Sequence, residues 1–346
     1  MGNIKSKLEY VWLTSYEQHL TSKVKVVSNF SGKLEDCSEW FFNGGATGQA
    51  TAHMSDCLLK PVRLYKNPMD INSYIVLCEV YTVAADKSYP CRLSNIRYLL
   101  RKFMNQFNKE QLSIFDPWFG FEQEYTLYDK DIPIGMENNK SKNIKSEYYL
   151  NEVGEEIAYE HLNKCIDSGI NIVGINKEGP VMLGQWEYQI GEGDPIKMSD
   201  DLWIARWLLQ KIAGKYNLWV SLYPNPIDSD DYPDGYGNIG CHTNFSTKNM
   251  RVEGGYKIIL SAIRKLEQKH KEHMDYYGFD NQNRLTGQCY TSDFKYFTYG
   301  VADRYASVRI PWKVFRDKKG YLEDRRPAAN CDPYMVSLKI LETVCS

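Results

Sequence analysis

The sequence has no C-x-x-C pair, no apolar run of transmembrane length and no secretory signal pattern. Its nine cysteines are scattered singly along 346 residues, which is typical of reduced thiols in the cytoplasm and argues against a disulfide framework. An excess of one charge is also missing, because 42 basic and 44 acidic residues leave a net charge of −2. Electrostatics therefore predict no nucleic-acid partner. No Walker A motif is present, which excludes a nucleotide site of the P-loop kind.

The first residues carry one pattern that points to a membrane. MGNIKS fits M-G-x-x-x-[ST], the N-myristoylation pattern, with Gly2 as the acceptor and Lys5 and Lys7 beside it. So short and loosely specified a pattern also matches by chance, and that alternative stays open. One acyl chain with two lysines would give only weak and reversible membrane association.

The order of the periodic segments predicts an α+β chain. We expect a short helical lead-in at residues 1–22, a strand-rich domain at 23–105 and a larger domain of helices and strands at 106–346. The second boundary lies before FDPWFG, where proline and glycine interrupt the pattern. DDLWIARWLLQKIAGKY has helical spacing, and Asp200 and Asp201 at its start suit an N-cap. YKIILSAIRKLEQKHKEHMDYY predicts one longer helix.

Several predicted strands carry a polar residue at every second position. In GFEQEY the two carboxylates of Glu122 and Glu124 leave the same face, because the side-chain period of a strand is 2. QWEYQIG adds Glu187, HTNFS adds His242 and GYLEDRRP adds Glu323 in the same alternation. A solvated sheet face would also alternate, and that alternative stays open for each strand alone. Together the oxygen ligands and one imidazole suit Mg²⁺ or Mn²⁺ better than zinc.

Four arginines follow in the last quarter of the chain, at Arg284, Arg304, Arg309 and Arg325. Carboxylates that hold metals, combined with arginines that hold developing charge, are what phosphoryl transfer requires. A surface ion pair is the simpler explanation for any one of these arginines. The combination nevertheless predicts a site that handles phosphate groups.

The chain resembles glutamine synthetase, in its shorter eukaryotic form, over nearly its whole length. The motifs that carry the resemblance are PWFGFEQEYTL, GQWEYQIG, GCHTNFSTKNMR, NRLTG, GVADRYASVRIP and KKGYLEDRRPAANCDPY. The resemblance implies a β-grasp domain at 23–105 and a catalytic domain, built on a curved antiparallel sheet with helices, at 106–346. It also implies a homo-oligomeric double ring of pentamers, with each active site shared between neighbouring subunits. The implied reaction phosphorylates the γ-carboxylate of glutamate with ATP, after which ammonia displaces phosphate and gives glutamine.

The resemblance also assigns residues to metals and substrates. Two or three Mg²⁺ or Mn²⁺ ions per site would have as ligands one group of Glu124, Glu178 and Glu187 and a second group of Glu122, His242 and Glu323. The residues implied for ATP are Trp118, Glu187, Asn244, Ser246, Arg304, Arg309 and Tyr321. Those implied for glutamate are Arg284, Arg304 and Arg325. The catalytic residues would be Arg309, which stabilises the transferring phosphoryl group, Arg304, which bridges glutamate and ATP, and the metal ligand Glu178.

The departures from the family pattern concentrate on the ammonium site, which the resemblance places at Asn43, Ala46, Tyr149 and Tyr290. Asn43 stands where the family has an aspartate, Ala46 replaces a serine, and Tyr290 replaces the glutamate of a mobile flap. An amide brings no negative charge for a cation, and a tyrosine with a pKa of about 10 is a poor general base near neutrality. An insertion also follows Glu178, and the segment after Tyr149 is shorter than in the family. These changes predict a remodelled ammonium pocket.

Three functions therefore stay open at this stage. The first is a glutamine synthetase that binds ammonium weakly. The second is a γ-glutamyl-amine ligase in which a less charged pocket accepts an organic amine. The third is a catalytically impaired homologue that binds nucleotide and acts in assembly or regulation, although buried carboxylates without their cations would then be a cost.

Overall fold

The computed structural model describes residues 4–16, 19–84, 87–91, 94–135, 153–178, 184–226 and 237–345. The chain consists of two compact units. The first contains Met1–Asn105 and Asn163–Ile170, and the second contains Gln106–Leu162 and Asn171–Ser346. Both sheets and helices are present, so the predicted α+β class is confirmed.

The first unit is built on a mixed six-stranded sheet in the order β2-β1-β5-β4-β3, with β6 also paired to β5. Its strands are β1 (Lys5–Leu13), β2 (Leu20–Ser28), β3 (Trp40–Asn43), β4 (Asp56–Lys66), β5 (Ser73–Ala84) and β6 (Lys87–Pro90). The pairing of β1 with β5 is parallel and the other pairings are antiparallel. Helix α1 (Ile96–Met104) follows, with the side chain of Asn95 capping its first turn.

The helical lead-in predicted for residues 1–22 is wrong. Residues 5–13 form β1, which pairs along its whole length with β2 and partly with β5. Its sequence KSKLEYVWL alternates in burial over the first half, with Leu8 and Tyr10 in the core and Lys5 and Lys7 exposed. The segment therefore forms a strand, with a side-chain period of 2, because neighbouring strands on both edges satisfy its backbone hydrogen bonds.

The second unit contains a nine-stranded sheet in the order β13-β14-β15-β12-β7-β10-β9, with β8 and β11 also paired to β7. The strands are β7 (Trp118–Asp129), β8 (Ile132–Pro133), β9 (Ile172–Lys177), β10 (Gln185–Gly193), β11 (Trp219–Ser221), β12 (Cys241–Ser246), β13 (Tyr299–Val301), β14 (Val308–Ile310) and β15 (Leu322–Asp324). The pairing of β13 with β14 is parallel, and the other described pairings are antiparallel.

The remaining helices are α2 (Lys109–Phe115), α3 (Glu155–Ser168), α4 (Pro195–Lys215), α5 (Lys248–Arg251), α6 (Gly255–Gln268), α7 (His270–Met274), α8 (Asn281–Arg284), α9 (Trp312–Asp317) and α10 (Pro333–Cys345). The single long helix predicted after residue 255 is wrong, because α6 ends at Gln268 and α7 begins at His270. No helix in the described part of the chain is long and apolar enough to cross a membrane.

The N-cap predicted for the long helix α4 is also wrong. Asp194 caps it, accepting a hydrogen bond from the Lys197 amide at 2.9 Å, and Pro195 takes the first helical position. Asp200 and Asp201 lie nearly two turns further on and are fully buried. Asp200 accepts a hydrogen bond from the Tyr334 hydroxyl at 2.6 Å, so these aspartates anchor the helix to its neighbours instead of starting it.

The central strand β7 decides which face of the second sheet carries polar side chains. Phe119, Phe121 and Tyr125 point into the core, where α4 packs against β7 and β10. Alternation then places the acidic residues Glu122 and Glu124 on the opposite face. The same face collects the polar residues of β10 and β12, which flank β7 on its two sides.

Candidate active site

Strand register brings the predicted acidic residues and the histidine together. Glu124 on β7 lies directly opposite Glu187 on β10, and Glu122 on β7 lies directly opposite His242 on β12. Neighbouring strands are about 4.8 Å apart, so side chains at these positions on one face come within reach of one another. Four of the predicted ligands therefore meet on three adjacent strands.

A first acidic group contains Glu124, Glu178 and Glu187. One carboxylate oxygen from each lies within 4.8 Å of the others, and all three side chains are buried. Glu178 joins from the end of β9, where its amide donates to the Gln185 carbonyl at 3.2 Å. Burial, and then the neighbouring charges of Glu122, Glu178 and Glu124, raises the pKa of Glu187 well above its usual value. Converging buried carboxylates of this kind fit a hard divalent cation.

A second group contains Glu122, Glu187 and His242, whose ligand atoms also lie within 4.8 Å of one another. His242 Nδ1 is 3.6 Å from a carboxylate oxygen of Glu122. Burial first, and then the charge of Arg325, lowers the pKa of His242 to about 3. The imidazole is therefore neutral at physiological pH, which is the form that ligates a metal. Glu187 belongs to both groups and joins them into one centre.

Amide side chains orient these carboxylates. Asn176 and Gln189 donate to the same oxygen of Glu187, at 3.0 Å and 2.8 Å. Asn244 donates to Glu122 at 2.7 Å. Sequence reasoning did not assign Asn176 or Gln189, although Gln189 lies on the polar face of QWEYQIG and could have been found from that alternation. Both amides therefore fix the same oxygen of Glu187.

Glu323 lies close to His242 but is held by two arginines, and its role as a metal ligand stays a prediction. Glu323 on β15 lies opposite Asn244, which is two residues beyond His242 on β12. Its carboxylate is 3.9 Å from His242 Nδ1. Its two oxygens instead accept from Arg309 and, at 2.6 Å, from Arg325. The structure thus places the predicted ligand beside the centre, where two guanidinium groups neutralise it.

Three of the four predicted arginines lie beside this centre, namely Arg284 next to His242 and Arg309 and Arg325 next to Glu323. Arg284 is 2% exposed and donates to the carbonyls of Arg325 and Arg326 at 3.0 Å and 3.3 Å, with Nη2 also 3.2 Å from His242 Nε2. Burial lowers the pKa of Arg284 to about 10, where the group is still charged at neutral pH. Arg304 is exposed and lies 4.8 Å from the centre of the Tyr290 ring. The centre therefore combines carboxylates with flanking cations.

A cleft of about 540 Å³ opens from the centre. The predicted nucleotide residues Trp118, Asn244, Ser246 and Tyr321 line it, together with Glu122. Glu187, Arg304 and Arg309 are not among its lining residues. Arg251 lines it as well, and sequence reasoning did not assign that residue although it ends the motif GCHTNFSTKNMR.

Facing residues of β7 and β12 line one side of the cleft. From one end to the other the facing pairs are Glu122 with His242, Gly120 with Asn244, and Trp118 with Ser246. Four residues of extended strand span about 13 Å, so the cleft has a charged end and an aromatic end that far apart. Gly120 has no side chain to fill the floor between them, where a Cβ would already be 3.4 Å from the Ile190 carbonyl.

The residues of the predicted ammonium pocket lie in different parts of the chain. In the first unit, Asn43 caps the 3-10 helix Gly44–Thr47 through a 3.0 Å hydrogen bond from the Gly45 amide, and Ala46 lies within that helix. In the second unit, Tyr290 has a left-handed backbone with φ of 63° and a ring 5.7 Å from that of Tyr305. Tyr149 and Gly2 lie outside the described residues, as does the segment 179–183 in which the two-residue insertion after Glu178 falls. The remodelled pocket stays a prediction.

Comparison with known proteins identifies related sequences over nearly the whole chain. The family model "Glutamine synthetase, catalytic domain" matches residues 94–254. The "Glutamine synthetase cytosolic isozyme" of Pinus sylvestris is 39% identical over 97% of this chain and 92% of the relative. "Glutamine synthetase" of Debaryomyces hansenii is 41% identical over 99% and 90%, and that of Gallus gallus is 39% identical over 98% and 90%.

Solved structures share the fold at much lower sequence identity. "Apo GmaS without ligand" superposes with a TM-score of 0.73 at 17% identity, covering 98% of this chain and 77% of that one. "GmaS/ADP complex-Conformation 1" gives a TM-score of 0.73 at 16% identity, covering 98% and 78%. These similarities support the α+β architecture of both units.

Proposed function

The chain belongs to the glutamine synthetase family, and from that premise we propose that its carboxylate centre and arginines carry out the ATP-dependent synthesis of glutamine from glutamate and ammonia. The glutamate γ-carboxylate attacks the terminal phosphorus of ATP and releases ADP. Ammonia then attacks the resulting γ-glutamyl phosphate and displaces phosphate. The observation that carries the proposal is the pair of ligand groups joined by Glu187 at the charged end of the cleft.

The donor set of the centre fits Mg²⁺ or Mn²⁺, because it offers carboxylate oxygens and a single neutral imidazole. Glu124, Glu178 and Glu187 would hold one ion, and Glu122 and His242 a second, with Glu187 in reach of both. When bound, these ions neutralise phosphate charge. Glu323 would be a ligand of the second ion only if its carboxylate also kept its bonds to Arg309 and Arg325. The residues present are compatible with two or three ions per site.

ATP would lie along the cleft with its phosphates at Glu122 and its base at the aromatic end. The four strand residues between the Glu122 and Trp118 positions span roughly 13 Å, which suits an extended nucleotide. Asn244, Ser246 and Tyr321 line the path between these ends.

Arginines would bind glutamate and stabilise the phosphoryl group. Arg284 and Arg325 would hold its carboxylates, and Arg304 would bridge glutamate and ATP. Arg309 would meet the charge that develops on the transferring phosphoryl group. Glu323 supports these roles because its two oxygens hold Arg309 and Arg325 side by side.

An organic amine is a second candidate for the nitrogen donor. The specific observation is the ring of Tyr290, which is 41% exposed and stands beside Tyr305 and Arg304 where the family has a glutamate. Aromatic rings provide contact area for an alkyl group and no negative charge for ammonium. A γ-glutamyl-amine ligase would use the same metals, ATP and glutamate.

The test is phosphate release from ATP with Mg²⁺ and glutamate, comparing no nucleophile, ammonium, hydroxylamine and a series of small amines. Ammonium should accelerate the release, whereas acceleration only by an organic amine would favour the second candidate. Arg309→Lys should lower kcat at least tenfold, and Arg316→Lys on the exposed part of α9 is the matched control. Protein that binds ATP but releases no phosphate under any condition would contradict both ligase candidates.

We also propose a homo-oligomeric ring, a decamer of two pentamers with active sites shared between subunits, and a cytoplasmic location. The family supports the first, and the nine cysteines scattered singly along the sequence without a C-x-x-C pair support the second. Sedimentation equilibrium would measure the oligomer. Acylation of Gly2 stays a prediction that intact-mass spectrometry of protein from a eukaryotic host would test, and the names of the relatives give it no support.

A further inference from the structure

Asp116 connects the residues that form the aromatic end of the cleft. It follows α2 in a left-handed conformation, with φ of 39°, and precedes β7 by two residues. One carboxylate oxygen accepts from the Trp118 indole nitrogen at 3.1 Å, and the other accepts from Arg251 Nη2. The Asp116 carbonyl accepts from the same nitrogen at 2.8 Å. Aspartate is one of the few residues that tolerate this backbone region.

Arg251 completes a closed ring of contacts around Asp116. Its guanidinium carbon lies 3.9 Å from the centre of the Trp118 ring, and Nη1 donates to the Ser246 hydroxyl at 2.9 Å. Trp118, Ser246 and Arg251 line the cleft, but Asp116 does not. Any effect of Asp116 on a bound molecule must therefore pass through the residues that it holds.

We infer that Asp116 is a positioning residue that fixes the Trp118 indole and the Arg251 guanidinium as the wall against which the base of the nucleotide packs. The inference rests on the proposed function, in which ATP occupies the cleft with its base at this end. Without the carboxylate, Trp118 loses its hydrogen-bond acceptor and Arg251 loses its counter-charge. Both side chains then lose the orientation that presents a flat surface, while the carboxylate centre about 13 Å away keeps its own contacts.

The expected effect is moderate, because the Asp116 side chain is 43% exposed and water can replace part of what it provides. In Asp116→Ala the dissociation constant of ADP and the KM for ATP should rise about fivefold to tenfold. In Asp116→Asn the rise should be smaller, since the amide oxygen still accepts from Trp118 while the amide nitrogen cannot accept from Arg251. The KM for glutamate and the kcat at saturating ATP should change less than about twofold, because neither depends on the base.

Inorganic tripolyphosphate separates positioning from a general loss of structure. It has the phosphates of ATP but no base, so its inhibition constant against ATP should stay within about twofold in both variants. Asp129→Asn, at the exposed far end of β7, is the matched control and should leave every constant unchanged. Binding of ADP and tripolyphosphate is measured by isothermal titration with Mg²⁺ present.

The outcomes distinguish this inference from the proposed function. Weaker ADP binding with unchanged tripolyphosphate inhibition supports it. Unchanged ADP binding in Asp116→Ala overturns the inference and leaves the proposed function standing. An equal loss of affinity for ADP and tripolyphosphate also overturns the inference, because it would mean that Asp116 only maintains the fold. Wild-type protein that binds neither ligand overturns both.

Discussion

Removing the charge of Glu187 should stabilise the metal-free protein and weaken metal binding at the same time. Glu187 is 4% exposed and belongs to both ligand groups. Glu187→Gln keeps the shape of the side chain and the oxygen that accepts from Asn176 and Gln189. It removes only the charge that the neighbouring carboxylates oppose. A substitution that raises stability without metal and lowers metal affinity is expected at a metal ligand and not at an ordinary core residue.

The magnitude follows from the raised pKa of Glu187. In the folded metal-free protein, burial and the neighbouring carboxylates hold the pKa of Glu187 well above its ordinary value of 4.5, and the unfolded chain restores that ordinary value. Holding the proton costs about 1.36 kcal/mol for each pH unit between the ordinary pKa and the lower of the folded-state pKa and the working pH. Glutamine needs no proton, so the variant should gain up to that amount.

The pH dependence of stability tests the sign of this effect independently. Because the folded pKa is raised, the folded state binds more protons than the unfolded state above pH 4.5, and the free energy of unfolding falls as the pH rises. The fall continues until the folded-state pKa is reached. Glu187→Gln should lack this slope, so wild type and variant should converge near pH 4.5 and differ most near neutrality.

The assay is urea unfolding followed by tryptophan fluorescence in EDTA at pH 5 and pH 7.5, together with Mn²⁺ titration followed by electron paramagnetic resonance. We expect a higher urea midpoint for the variant at pH 7.5 and a Mn²⁺ affinity reduced by roughly a hundredfold or more. Glu267→Gln, on the exposed side of α6, is the control and should change neither quantity. A variant that is less stable than wild type in EDTA at pH 7.5 would refute the reasoning.

Three further predictions follow from other parts of the molecule. Arg326→Met should lower the free energy of unfolding by about 3–5 kcal/mol because it leaves the fully buried Asp324 carboxylate without its ion-pair partner, and adding Asp324→Leu should recover most of that loss in urea titrations. The double variant Tyr290→Glu, Asn43→Asp should lower the KM for ammonium about tenfold by restoring negative charge, and steady-state kinetics without such a gain would exclude the remodelled-pocket explanation. Leu59→Ala, fully buried in the first unit, should cost about 2–5 kcal/mol in the same urea titration, whereas a cost below 1 kcal/mol would mean that the core closes around the cavity.

Local periodicity accounts for what the sequence determined about the candidate site. A strand exposes every second side chain on one face whatever surrounds it, so the shared face of Glu122 and Glu124 could be read from GFEQEY alone. The same argument placed Glu187 and His242 on polar faces of their own strands. The motifs of the family then indicated that these strands are neighbours, which periodicity could not do.

Only the tertiary structure decided which residues meet across the chain. Residues 5–13 form a strand because β2 and β5 supply hydrogen-bonding partners to both of its edges. Asp194 caps α4, and Asp200 and Asp201 do not, because those two aspartates are buried further along the helix. Glu323 is bound by Arg309 because β14 is the neighbour of β15. Asp116 reaches Arg251 across 135 residues of sequence. Such contacts depend on strand order and register, and register is set by the summed burial and hydrogen bonding of whole strands, which no short stretch of sequence contains.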